Sequence, residues 1–277
     1  MNELTIQENG LSLEDISAQL GAASTNKSDS VIPSLCINYD NENGPMGSFY
    51  LKYGKSGNSQ NNVYATVLDG VKFRAFSNHI QYQHWSETNE LVNKSLLVKN
   101  QREEARDQLG GFECGIPSYE ESIAMSKEEK EKYKHISKYR VVRGLVSFTG
   151  KTPDGREVIV ENQPCVYSNR RKNYGPFYHD VIKKMPEGMN LWDFESILSK
   201  DTITNSYGKK NYIMHFAPQF GSPIPMDQLT YDSLAYVSNL IKEENKRIDE
   251  MYNAALSQSN ENVRDQKIMD TLEADFA

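Results

Sequence analysis

The run from Val63 to Val98 constrains the fold more than any other part of the chain, because it is the densest stretch of aromatic and β-branched residues. From Val71 its residues alternate: Val71, Phe73 and Ala75 fall on one side, Lys72, Arg74 and Phe76 on the other. A period of two belongs to a strand, so the pattern predicts a ribbon with one apolar and one basic-aromatic face. The phase shifts near Ser77 and Asn78, after which Ile80 and Tyr82 alternate with Gln81 and Gln83. A β-bulge accounts for that shift, and bulges bend strands enough to help curl a sheet. Beyond Trp85, Glu87 to Glu90 reads as a turn and Leu91 to Val98 as the returning strand.

Other strands flank this run. Leu35 to Tyr39 opens the β body, the turn Gly44-Pro45-Met46-Gly47 reverses it, and Ser48 to Tyr53 returns. A second hairpin runs up from Tyr139 to Phe148, turns at Thr152-Pro153-Asp154-Gly155, and comes back from Glu157 to Tyr167 with Val158, Val160 and Cys165 facing inward. A last strand is expected at Lys210 to Phe216, where Tyr212, Met214 and Phe216 alternate with Ile213 and His215. Helices are expected at Leu11 to Gly21, from Ser126 through about Tyr133 behind a capping box, at Phe177 to Lys184, and at Leu191 to Leu198. Thr230 to Leu256 reads as a long helix whose stripe of Leu234, Val237, Ile241, Ile248, Met251 and Ala255 is broken only by Glu244.

Charge is unevenly spread. Residues 1–33 hold one lysine against five acids, residues 34–220 carry a balance of +3, and residues 221–277 one of −6, within a total of −7. The chain therefore divides into an N-terminal arm (1–33), a mildly basic β-rich body (34–220), a long helix (221–258) and an acidic, mobile tail (259–277). The densest cationic loop is Arg170-Arg171-Lys172, with Tyr167 before it and Tyr174 after it. Adjacent cations repel one another and add little to folding, so an anionic partner is their natural use.

Several classes of function find no support. Mean hydropathy is −0.68 and no long apolar run occurs, which argues against a membrane helix. The N-terminus lacks the basic start and apolar core of a signal peptide, so a cytoplasmic location is expected, that of the host if the protein is viral. Cys36, Cys114 and Cys165 are odd in number and far apart, which points to free thiols, and their spacing does not suggest a metal site with His79 or His84. Gly54-Lys55-Ser56 is not a phosphate-binding loop, because the required earlier glycine is replaced by Phe49. Neither a hydrolase elbow nor a zinc-protease motif occurs, and the five histidines are scattered. No cofactor, metal or catalytic residue is expected, and an enzyme is not.

A basic β body, aromatics interleaved with Lys and Arg, and an acidic end with an aromatic close to its tip (Leu272-Glu273-Ala274-Asp275-Phe276-Ala277) together resemble the single-stranded DNA-binding proteins of tailed phages. The resemblance implies a mainly β fold, an OB-like, partly open barrel with peripheral helices and a long C-terminal helix. It further implies a protein of bacteriophage DNA replication or recombination that binds single-stranded DNA without sequence preference. Cations would hold phosphates and rings would stack on bases. The residues that suit the task are Lys72, Arg74, Phe76, Tyr82 and Trp85 on the ribbon, with Arg170, Arg171, Lys172 and Tyr174 beside them. Asp275 and Phe276 at the tip would compete with DNA or dock replication proteins. The competing expectation is a virion structural or assembly protein that forms homo-oligomers through the long helix.

Overall fold

The computed structural model describes residues 32–40, 44–54, 59–67, 70–101, 103–111, 119–204, 208 and 210–275. The expected helix at Leu11 to Gly21, Cys114 and Phe276 lie outside these residues. The first strands are β1 (Ser34–Ile37), β2 (Phe49–Lys52), β3 (Val63–Ala65), β4 (Lys72–Trp85) and β5 (Leu91–Lys94), the last ending short of the expected Val98. Gly47 has φ +78°, a left-handed conformation that glycine adopts without strain, and it completes the turn between β1 and β2. The second hairpin is β6 (Ile136–Lys151) and β7 (Glu157–Arg170), and β8 (Ser196–Thr204) with β9 (Lys210–Pro218) makes a third.

These strands form one mixed sheet in the order β3-β2-β1-β7-β6-β4-β8-β9, with β5 on the free end of β4. Pairings are antiparallel except between β1 and β7. A further pairing of β3 with β6 links β1, β2, β3, β6 and β7 into a circuit. Inside that curl Leu35, Phe49, Leu51, Phe73, Val142, Tyr167, Phe177, Leu198, Met214 and Phe216 make the main core. The bulge predicted on β4 is present as a register shift between Ala75 and Ser77, which places Phe76 and Ser77 together on the side away from this core.

Four helices complete the described chain: α1 (Tyr119–Ala124), α2 (Lys127–Lys132), α3 (Pro176–Asp180) and α4 (Gln228–Asp275). Ser126 and Glu129 close the capping box of α2 as their spacing predicts. Two expectations are corrected. Leu191 to Leu198 is no helix: Leu191–Asp193 is a 3-10 turn, and Ser196 enters β8, where Ser196 to Thr204 pairs with Pro218 to Lys210. The long helix also does not stop near Leu256, because its backbone stays helical to Asp275. No glycine or proline follows Pro225, so nothing local ends it. The segment expected as a mobile tail is thus helical over most of its length.

Helix α4 crosses the outer face of β4 and β6. Its Val237 packs on Phe76 and Leu145 and its Ile241 on Leu97, Tyr139 and Val141, while Ile248 belongs to the cluster that holds Leu96, Val98, Ala105, Ile80 and Tyr82. Where Glu244 breaks the apolar stripe, it accepts hydrogen bonds from Arg143 Nη2 (2.5 Å), Lys94 Nζ (3.0 Å) and Gln81 Nε2 (3.1 Å). The next residue, Asn245, exchanges hydrogen bonds with the backbone N–H and carbonyl of Leu97. No helix among the described residues is long and apolar enough to cross a membrane.

Candidate nucleic-acid interface

Residues directly opposite in an antiparallel pair share a face. On one face of the sheet β6 therefore presents Lys138 and Arg140, with Tyr82 and Ile80 of β4 opposite them and Asn169 of β7 opposite Arg140. Past Arg170 the chain reverses sharply. Arg171 takes the left-handed conformation (φ +55°), an unusual backbone for a non-glycine residue, and the 3-10 turn Arg171–Asn173 leads to Tyr174 and α3. Pro176 stands at the start of α3, where its fixed φ suits a helix and its missing N–H is not needed.

That reversal folds two rings over the cations of β6. The Arg140 guanidinium lies 4.6 Å from the Tyr174 ring centroid and 5.6 Å from that of Tyr178, and Lys138 Nζ lies 4.9 Å from Tyr174. Arg140 is fixed further by donating from Nε to the Tyr174 carbonyl (2.9 Å) and from Nη1 to Asn78 Oδ1 (2.7 Å). On the other face of the sheet, Arg170 sits 5.5 Å from the Tyr139 ring and donates to Ser137 Oγ at 3.0 Å. Arg171 and Lys172 are exposed at the tip of the turn.

Among the described residues, none of these five cations has a carboxylate within ion-pair distance. Burial and the neighbouring Arg140 hold the Lys138 ammonium below its ordinary pKa. Burial likewise lowers Arg140, with only tyrosines opposing it. Cations taken partly out of water without a counter-charge are costly, and an incoming anion relieves that cost. The arrangement suits a phosphate chain held beside aromatic rings.

The ribbon residues expected here have other places. Arg74 is buried and spends its donors inside the protein, from Nε to the Trp192 carbonyl (2.7 Å) and from Nη1 to Thr230 Oγ1 (2.9 Å). Phe76 is buried between the sheet and α4, and Tyr82 is buried beneath the Lys138 end of the interface. Lys72 is exposed but pairs with Glu195 at 3.5 Å, at the opposite end of β4 from Trp85, which is half-buried beside Leu97 and Tyr139. An open stacking platform of Phe76 and Tyr82 is therefore corrected: α4 covers Phe76 on the outer side of the ribbon, and Tyr82 is buried on the other side with Ile80 and Leu96. While Arg170 lies beside Tyr139 on the other face of the sheet, Arg171, Lys172 and Tyr174 do come together. Lys138, Arg140 and Tyr178 join them and were missed, although Lys138 and Arg140 at alternate positions of a strand were a readable signal.

Reactive chemistry is sparse nearby. His215 lies between Asp180 (3.0 Å from Nδ1) and Asp201 (3.3 Å from Nε2). Burial pushes the Cys36 thiol up to about 11 and raises Cys165 as well, which makes poor nucleophiles of both. Among the described residues, no three His, Cys, Asp or Glu side chains are grouped to hold a metal ion. No family model, no curated protein and no solved structure matches this chain.

Proposed function

We propose that this protein binds single-stranded DNA, without sequence preference, in DNA replication or recombination of the bacteriophage type. The observation that carries the reading is a set of cations without carboxylate partners: Lys138 and Arg140 beneath the rings of Tyr174 and Tyr178, with Arg171 and Lys172 exposed at the tip of the adjoining turn, while Arg170 lies beside Tyr139 on the other face of the sheet. Phosphate contacts supply affinity that depends on salt and not on sequence, and rings beside them accept any base. An OB-like barrel is the finer form of the reading. The strand circuit gives a curled body, but its strands follow one another in chain order and not in the Greek-key order of that fold, so the proposal rests on the charged face. The acidic end, with Asp275 and Phe276, competes for that face or docks a replication partner.

Titration of a fluorescent oligo-dT at two salt concentrations tests the proposal. Binding should weaken steeply as salt rises, and Arg171→Ala with Lys172→Ala should flatten the log–log slope by about 0.7 for each phosphate no longer neutralised. Binding that is absent, or that ignores salt, sinks the reading. A second reading, an assembly protein joined through its helix, draws on one observation: α4 meets the loop at Gly110 with Ala255 and continues as helix to Asp275. Isolated helices are marginal in water, and a second copy laid along this one would stabilise it. Sedimentation showing a monomer at micromolar concentration removes it.

A further inference from the structure

Strands β1 and β7 pair in parallel only at Ser34 and Val166, where Val166 N–H also donates to the Pro33 carbonyl (3.0 Å). Beyond that point they part, and the parting opens a cavity of about 210 Å³ between β1, β2, β7 and β9. This is smaller than the roughly 300–1,000 Å³ clefts that hold drug-sized ligands and much larger than the ~30 Å³ share of one water. It suits a single flat ring system.

The walls are firmly set. Tyr50 stacks on Tyr64 with centroids 4.9 Å apart and planes 10° from parallel. Tyr39, 54% exposed at the rim, exchanges hydrogen bonds between its hydroxyl and both the N–H and the carbonyl of Tyr212. Asn173 ties the turn to the edge of β9, donating from Nδ2 to the Tyr212 carbonyl (3.0 Å) and accepting at Oδ1 from Met214 N–H (2.8 Å). Two wall residues keep their capacity: among the described residues, the side chains of Ser168 and Asn169 make no hydrogen bond. A carboxamide offers a donor and an acceptor side by side, the pattern that recognises a base edge.

The cationic turn is built on this wall. Asn169 stands directly opposite Arg140 and runs at once into Arg170, Arg171 and Lys172, and the chain re-enters the wall at Asn173. We infer that the cavity receives one nucleobase of a bound strand, its edge on Asn169 and Ser168, while the turn holds the phosphates on either side. This rests on the proposed function and deepens it, because it separates base recognition from backbone attraction.

The experiment compares Asn169→Leu, which fills the cavity and leaves every cation in place, with the wild-type protein. The probes are an oligo-dT and an abasic strand of equal length at one salt concentration. The wild-type protein should prefer the dT strand, and Asn169→Leu should lose about tenfold on it. Affinity for the abasic strand should not change. Equal loss on both strands, or no loss on dT, overturns the base site while salt-dependent binding still upholds the proposed function. Failure of the wild-type protein to bind either strand overturns both. Should Asn169→Leu melt early, Ser168→Val narrows the same cavity, and the same difference between strands is expected of it.

Discussion

Glu244 shows how one residue can break a pattern and complete a structure. Its burial alone would raise the carboxyl pKa, but Lys94 and Arg143 outweigh burial and hold it below the usual carboxylate range. Removing the charge leaves two cations beneath α4 without a counter-ion. Glu244→Gln should therefore cost about 3 kcal/mol in urea denaturation at neutral pH. His79 lies in the same region, and burial together with Arg143 and Lys99 pushes its imidazole down to about 4. For a base depressed in the folded state, the unfolded chain binds the proton first. Its contribution is complete above about pH 6.5, the unfolded value, and is lost as pH falls toward about 4. The Glu244 contribution, a depressed acid, is lost below about pH 4.5. Stability measured across pH 7 to 4 should fall in the upper window first, and His79→Leu should flatten that part of the curve. An unchanged slope in the variant would mean that another group titrates there.

At the scale of elements, the bulge on β4 decides which residues meet α4. Gly144 lies opposite Ala75 at this bulge, and a Cβ there would meet the backbone carbonyl of Arg74. Gly144→Ala should destabilise the protein by about 2–3 kcal/mol, read from the midpoint of chemical denaturation, because backbone and not a flexible side chain would have to move. A variant as stable as the wild type would show that β4 and β6 can part without cost. The bulge itself was legible, as a change of phase near Ser77 with a glycine in the facing strand. The nature of β8 was not. Leu191, Phe194, Ile197 and Leu198 fit a helical face, but the pairing of Ser196 to Thr204 with β9 prevails, and that partner is made by a later hairpin turn.

For the whole molecule, the opposed charges of body and C-terminal end matter most. A chain stopped after Ser259 loses Glu261, Asp265, Asp270, Glu273 and Asp275 against Arg264 and Lys267, a net removal of three negative charges. Oligo-dT binding should tighten in dilute buffer and stay the same near 0.15 M salt, where charges more than about 8 Å apart are screened. The melting temperature should barely change, because Val237, Ile241, Glu244 and Ile248, which pack the helix on the body, are all retained. Identical binding at low salt would leave the acidic end without a part in DNA competition. Local pattern determined much here without any three-dimensional information: the hairpins before β8, the β4 bulge, the capping box of α2, the start of α4 and the cationic turn all follow from residues close in sequence. Which side of the ribbon faces solvent was decided elsewhere. A strand's alternation states that two faces differ, but Arg74 and Phe76 are buried because a helix far later in the chain lies across the sheet. The same long-range folding brings Tyr174 and Tyr178 onto Arg140 and parts β1 from β7, so the shape of the candidate site belongs to the tertiary structure alone.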